Sequence, residues 1–214
     1  MEGTRVYLVR HGETEWNNSG RYQGHSDVAL SPRGRQQAEL LRERLRHIPL
    51  DVVYSSDLSR ARETAASIAA PHGLGVKVTA GLREINFGAW EGMTHEEIVA
   101  SFPCEWEAWR QDPASTIVPG GESFRQVKER VWQAFNGIVR HEKGRRILLV
   151  AHGGSLRVLI CSVLGLDLTA VWRFRLDNTG ISIVDCYEDE YILVLLNDIN
   201  HLETLGGPNG SGIL

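Results

Sequence analysis

Two places in this 214-residue chain run an apolar, β-rich stretch straight into a His-Gly step: Tyr7-Leu8-Val9-Arg10-His11-Gly12 and Leu148-Leu149-Val150-Ala151-His152-Gly153. A neutral imidazole can act as a nucleophile or carry a proton near pH 7. The glycine that follows each one allows the backbone to approach a ligand closely. One histidine at a strand end is commonplace; two in matching contexts point to a shared site. In an open α/β sheet, ligands sit beyond the carboxyl ends of the strands, near the point where strand order reverses. Both imidazoles are therefore expected to project from that edge.

The elements that must hold them follow from pattern. Arg5–Val9 reads as a buried strand. Ser31-Pro32 supplies an N-cap and a proline at the first helical position, and Ala38, Leu41, Leu45 and Ile48 then form one helical face that ends before Pro49. Asp51–Tyr54 and Val76–Val78 are short strand candidates, with an Ala-rich helix from Leu58 to Ala70 between them. Thr94 and Glu97 fit a capping box for a short helix. A long helix is expected from about Glu122 to Glu142, with Phe124, Val127, Val131, Phe135, Ile138 and Val139 on one face. Arg146–Ala151 is the clearest buried strand, and a helix follows from about Ser155 to Leu164. The alternating runs Ile181–Tyr187 and Tyr191–Asn197 predict a hairpin at one sheet edge. Strands alternating with helices predict an α/β domain with a mostly parallel sheet. We expect one domain over residues 1–205, with an insert at about 92–121 and a flexible, glycine-rich tail over 206–214.

Composition excludes several other classes. Lys plus Arg is 23 against 27 Asp plus Glu, a net charge of −4, and no basic tract is long enough to track a nucleic acid. Twenty of the 23 basic residues are Arg, so an arginine alone is weak evidence of anion binding. Cys104, Cys161 and Cys186 form neither a CxxC pair nor an even disulfide framework. Val6–Val9 is far too short for a signal peptide or a membrane span. A soluble cytoplasmic protein is expected, with no nucleic-acid or membrane partner.

The segment Leu8-Val-Arg-His-Gly-Glu-Thr-Glu-Trp-Asn17 resembles the signature of the histidine phosphatase superfamily, which includes the cofactor-dependent phosphoglycerate mutases. The likeness continues through Gly20–Gly24, Leu30–Gly34, Ser55–Thr64, Leu82–Gly92, Pro119–Ser123 and Val150–Gly153, nearly the whole chain. It implies a three-layer α/β sandwich with a mostly parallel central sheet, an antiparallel edge strand and a small helical insert. It also implies that His11 attacks phosphorus to form a phosphohistidine, splitting one displacement into two. Arg10, Arg60 and His152 would surround the transferring group, whose equatorial oxygens carry the transition-state charge. Asn17 and the Gly153 amide would add neutral donors. Glu84 would protonate the leaving oxygen and then activate water; a bound phosphate dianion beside it would favour its protonated form by like-charge repulsion. Gln23 and Gly24 sit where family members contact substrate. Thr14 would touch phosphate or cap the turn that follows, and Arg62 would point elsewhere. His25, His47, His72, His95, His141 and His201 read as surface residues. The cation cluster replaces a metal; no metal site and no cofactor are expected.

Both phosphatases and mutases of this family share the phosphohistidine. Mutases typically carry an Arg-His-Tyr type sequence after the acid and a longer basic insertion. Here Ile85-Asn86-Phe87 follows Glu84, and Arg110 is the only Lys or Arg between Gly92 and Gly121. That is a poor setting for a second anion. The Phe87-Gly-Ala-Trp-Glu-Gly92 form and the short length resemble α-ribazole phosphatases and broad-specificity phosphatases. A phosphomonoesterase for small-molecule phosphate esters is expected, α-ribazole 5'-phosphate among them, with cofactor-dependent phosphoglycerate mutase as the alternative. A non-catalytic binder is a third reading, disfavoured by the complete set His11, Arg10, Arg60, Glu84 and His152. Trp106 and Trp109, three apart in the insert, would either roof the site or pack the insert onto the sheet. Monomer and homodimer are both open, since the hairpin leaves an edge strand.

Overall fold

The computed structural model describes residues 3–188 and 190–206. Of the tail expected at 206–214, only Gly206 falls within that range. Six strands form one sheet: β1 (Thr4–Arg10), β2 (Val52–Ser55), β3 (Val76–Val78), β4 (Arg146–Ala151), β5 (Ile181–Cys186) and β6 (Tyr191–Asp198). Their spatial order is β3-β2-β4-β1-β5-β6. The β1–β4, β2–β4 and β2–β3 pairs are parallel, while β5 runs antiparallel to both β1 and β6. The expected mostly parallel sheet with an antiparallel hairpin at one edge is what forms.

Seven α-helices accompany it among the described residues: α1 (Glu15–Asn18), α2 (Pro32–Leu45), α3 (Ser59–Ala69), α4 (His95–Ser101), α5 (Pro103–Gln111), α6 (Phe124–His141) and α7 (Gly153–Val163). The central strands are apolar on both faces because both are covered. Val6 and Leu8 of β1, with Ile147 and Leu149 of β4, join the cluster that includes Phe124, Val127 and Val131 of α6 and Leu156 and Leu159 of α7. Tyr7, Val9, Leu148 and Val150 face the other way, against Leu41 and Leu45 of α2 and Ala61, Ala65 and Ile68 of α3. These are the three layers of the sandwich.

Helix ends are set by local chemistry in most cases. Ser31 caps α2 by accepting from the Gly34 amide, with Pro32 at the first position. Ser123 and Gln126 form a capping box that starts α6 at Phe124, two residues later than composition alone predicts. Helix α7 starts earlier than expected, at Gly153 instead of Ser155. The reason is tertiary: the Glu84 carboxylate accepts from the amides of Gly154 and Ser155, a cap from another segment that lets two glycines join the helix.

Trp109 is 4% exposed. Its ring centroid lies 5.4 Å from that of Trp106, 5.8 Å from Trp90, 6.0 Å from Phe124 and 5.7 Å from Trp172. The packing reading holds for Trp109, which is buried among aromatic rings, so a roofing role for Trp109 is withdrawn. Trp109→Ala should lower the unfolding free energy by about 3–5 kcal/mol in a urea titration. Relative rates across a phosphate-ester panel should stay unchanged; a reordering would restore the roof.

Candidate active site

The β1–β4 register pairs Arg10 with Ala151, so the residues that follow, His11 and His152, emerge side by side. The His11 amide donates to the Ala151 carbonyl at 3.0 Å, and the two imidazole centroids are 5.0 Å apart in an edge-to-face arrangement. Both side chains are buried. His11 Nδ1 lies 2.6 Å from the Gly12 carbonyl. A carbonyl only accepts, so Nδ1 carries the proton and Nε2 keeps its lone pair. Gly12 is clamped as well: its amide donates to Thr64 Oγ1 at 3.0 Å, and a Cβ there would lie 2.5 Å from the Gly34 carbonyl oxygen.

The cations sit around this pair. Arg60 stands in the first turn of α3, whose Ser59 amide donates to Asp27. The guanidinium is buried and donates to the carbonyls of Ser26 and Gly24, both at 2.8 Å. Gly24 has φ +52°, and a Cβ there would collide with the Glu91 carboxylate. That turn of the chain brings its carbonyl to Arg60. Arg10 donates through Nη1 to the Leu176 carbonyl at 2.7 Å. Burial pulls Arg60 down to about 10 and lowers Arg10 too, and guanidinium groups keep their charge in proteins near neutrality. Their charges act back on the imidazoles. Burial first, then Arg60 and Arg10, holds His11 well below 6.5; burial, Arg60 and His11 do the same for His152. Both rings are therefore neutral at pH 7, the state a nucleophile needs.

Glu84 completes the ring. Its carboxylate accepts from the amides of Ile85, Gly154 and Ser155, each at 2.9 Å, and so sits at the positive end of α7. A Cβ on Gly154 would lie 2.5 Å from Glu84 Oε1. Gly153 packs against arginine in the same way, with a Cβ meeting Arg10 Cζ at 3.3 Å and Arg157 Nη1 at 3.5 Å. Asn17 accepts at Oδ1 from the amide and the hydroxyl of Thr14, both at 3.1 Å, while Thr14 Oγ1 accepts from the Asn17 amide at 3.2 Å and so caps α1. Gln23 is buried, and its side-chain oxygen has no hydrogen-bond partner among the described residues. Arg62 is exposed, away from the cluster.

Several contributors escaped sequence reasoning. His25 is half-buried instead of a surface residue; its Nε2 lies 3.0 Å from the Glu84 carbonyl, which also accepts from Arg130 at 2.6 Å. His201, also expected at the surface, is half-buried with Nε2 3.1 Å from Thr179 Oγ1. Glu91 accepts from the amides of His25 and Ser26 and ties that loop to the Glu84 segment. Arg157 is buried, 5.5 Å over the Trp172 ring, and reduced to about 10 by burial and by Arg10. It had a legible signal: one arginine inside the apolar run Leu156–Val163. Asn178 donates to the His11 carbonyl at 2.9 Å. Its only mark in sequence is an Asn-Thr-Gly turn ahead of β5.

Two outcomes follow from this geometry. Gly154→Ala should displace the Glu84 carboxylate and lower kcat roughly 10- to 100-fold with little change in thermal midpoint. A wild-type rate would show that this carboxylate position is not required. The unfolded chain protonates His11 and His152 near pH 6.5, whereas the folded chain keeps them neutral well below it. Stability should be complete above that pH and fall as pH drops below it, by up to roughly 1.4 kcal/mol per pH unit for each histidine. Urea midpoints in anion-free buffer at pH 7.5 and 5.5 check this against His152→Asn, whose slope should be shallower.

Comparison with known proteins identifies the family. Residues 6–199 match the histidine phosphatase superfamily (branch 1). Phosphoserine phosphatase 1 of Hydrogenobacter thermophilus is 37% identical over 198 residues, covering 92% of this chain and 94% of that protein. A Salmonella typhi protein named "Probable phosphoglycerate mutase GpmB" is 37% identical, covering 94% of this chain and 95% of its own. The α-ribazole phosphatase of Shigella flexneri superposes with a TM-score of 0.85 at 32% identity, covering 91% of this chain and 96% of the other. With a shared fold, a family match over most of its length and relatives above 30% identity, the chain belongs to the histidine phosphatase superfamily and is a phosphatase.

Proposed function

We propose that the phosphatase reaction runs without a metal, through a phosphohistidine on His11, on small phosphate monoesters with uncharged leaving groups. The observation that carries this reading is the free Nε2 of a neutral His11 set among Arg10, Arg60 and His152. The Nε2 lone pair attacks phosphorus, the ester P–O bond breaks, and a proton from the Glu84 carboxyl goes to the leaving oxygen. Water then attacks phosphorus and gives its proton to the Glu84 carboxylate; the P–N bond breaks and phosphate departs. The arginines and the α7 terminus supply the positive charge that a metal provides in other phosphoryl-transfer sites.

Phosphatase is favoured over mutase by how the cations beside Glu84 are already engaged. Arg83 is held by both Asp57 oxygens at 2.8 and 2.6 Å. Arg130 is held by both Glu122 oxygens at 2.8 Å. Neither offers its charge to the second phosphate or carboxylate that a mutase must hold. The same neutralisation favours a nucleoside-like leaving group, and α-ribazole 5'-phosphate is our candidate substrate.

Wild type should hydrolyse p-nitrophenyl phosphate in the presence of a chelator and form an acid-labile phosphoenzyme, and His11→Ala should do neither. Dependence on added metal would overturn the metal-independent reading. Glu84→Gln should slow alkyl phosphates roughly 10²- to 10⁴-fold and p-nitrophenyl phosphate much less; equal losses would remove the acid role. In a panel, α-ribazole 5'-phosphate should exceed phosphoserine, and the reverse order would assign carboxylate-bearing esters instead. Isomerisation of 3-phosphoglycerate dependent on 2,3-bisphosphoglycerate would favour the mutase.

A further inference from the structure

We propose that the turn from Leu176 to Gly180, through the side chain of Asn178, positions the nucleophile and the Asn17 amide together for phosphate binding. The inference rests on the phosphohistidine reading and adds a residue to it. Because β5 runs antiparallel to β1, the chain entering β5 passes the end of β1 where Arg10 and His11 leave the sheet. Leu176, Asn178 and Thr179 each bond to that end. The Leu176 carbonyl accepts from Arg10 Nη1 at 2.7 Å, and the Thr179 amide donates to the Arg10 carbonyl at 2.9 Å. One turn thus holds Arg10 by side chain and by backbone.

Asn178 lies between these two contacts. Its Nδ2 has two protons, and two acceptors face them: the His11 carbonyl at 2.9 Å and Asn17 Oδ1 at 3.4 Å. Asn17 Oδ1 also accepts from the amide and hydroxyl of Thr14. Three donors on one oxygen fix which way the Asn17 amide points, so its NH2 group is directed away from Thr14 and Asn178 and is left to donate to phosphate. Thr14 alone would make an ordinary helix cap. Asn178 joins that cap to the strand carrying the nucleophile.

The backbone of the turn is not an ordinary connection. Thr179 is fully buried, β-branched and in the left-handed region at φ +59°, where such a residue is an outlier. The surroundings hold it there. Its hydroxyl donates to the Asn178 carbonyl at 2.7 Å and lies 3.1 Å from His201 Nε2. Asn197, itself at φ +54°, accepts from the Asp177 amide and donates to Asp177 Oδ2, both at 2.8 Å. Four residues of the carboxyl-terminal third thus converge to keep one side chain against His11.

The test is a double-mutant cycle on Asn17→Ala and Asn178→Ala, read by equilibrium binding of inorganic phosphate and by kcat and KM on p-nitrophenyl phosphate. Asn178→Ala should weaken phosphate binding and lower kcat, each roughly tenfold, with the double variant little worse than Asn17→Ala alone. Asn178→Ser, too short to reach both acceptors, should reproduce the loss and serves if the alanine variant does not fold. Additive losses, or wild-type kinetics with only a lowered thermal midpoint, would overturn the inference alone. Wild type that fails to bind phosphate would overturn the phosphohistidine reading and the inference with it.

Discussion

The parallel pairing of β1 with β4 is the constraint on which the rest depends. Because side chains alternate along a strand, slipping this pair by one residue would turn one set of apolar side chains toward the wrong layer. Tyr7 and Val9 would lose α2 and α3, and Val6 and Leu8 would lose α6 and α7. The two hydrophobic clusters therefore lock the register, and the register places His11 beside His152. Burial at the centre of the sheet and the meeting of the two imidazoles are one event. The place of His11 in the sheet is inherited from packing, and the turn ahead of β5 then bonds its carbonyl.

The same burial sets the electrostatics. A guanidinium taken out of water needs hydrogen-bond acceptors, and the choice of acceptor decides what it can still do. Arg60 bonds the carbonyls of Gly24 and Ser26, and Arg157 reaches the carbonyl of Phe174. Carbonyls orient a guanidinium without cancelling its charge. Arg83 and Arg130, by contrast, are matched to Asp57 and Glu122 by two bonds each, which cancels their charge. In a chain whose cations are almost all arginine, this difference separates guanidiniums that keep their charge from those paired with a carboxylate. Residue type alone cannot make that division.

What was legible in sequence follows from range. The two His-Gly steps, the apolar strands before them and the alternation of helices are local patterns, and the signature containing Arg10, His11 and Asn17 is contiguous. Arg60 and Glu84 were legible as candidates because each lies in a motif of its own. His25, Arg130, Arg157 and Asn178 were missed because what they do lies in a partner far along the chain: the Glu84 carbonyl for the first two, the Phe174 carbonyl for Arg157, the His11 carbonyl for Asn178. The early start of α7 was missed for the same reason, since its cap is supplied by residue 84. Trp109 was ambiguous because aromatic spacing on a helix is the same for a ligand face and for a core.

The terminus of α7 ties Glu84 and Arg10 to one helix. A helix presents its first amides as a small positive group. Here Gly154 and Ser155 give theirs to Glu84, while Gly153, the first residue of the helix, packs against the Arg10 guanidinium. Consecutive residues of one helix therefore set where Glu84 and Arg10 stand relative to each other. A Cβ at 154 would displace the Glu84 carboxylate, and one at 153 would sit 3.3 Å from the Arg10 guanidinium, a tight contact. The His-Gly-Gly run thus gathers an imidazole, an arginine and a carboxylate at consecutive residues of one helix terminus.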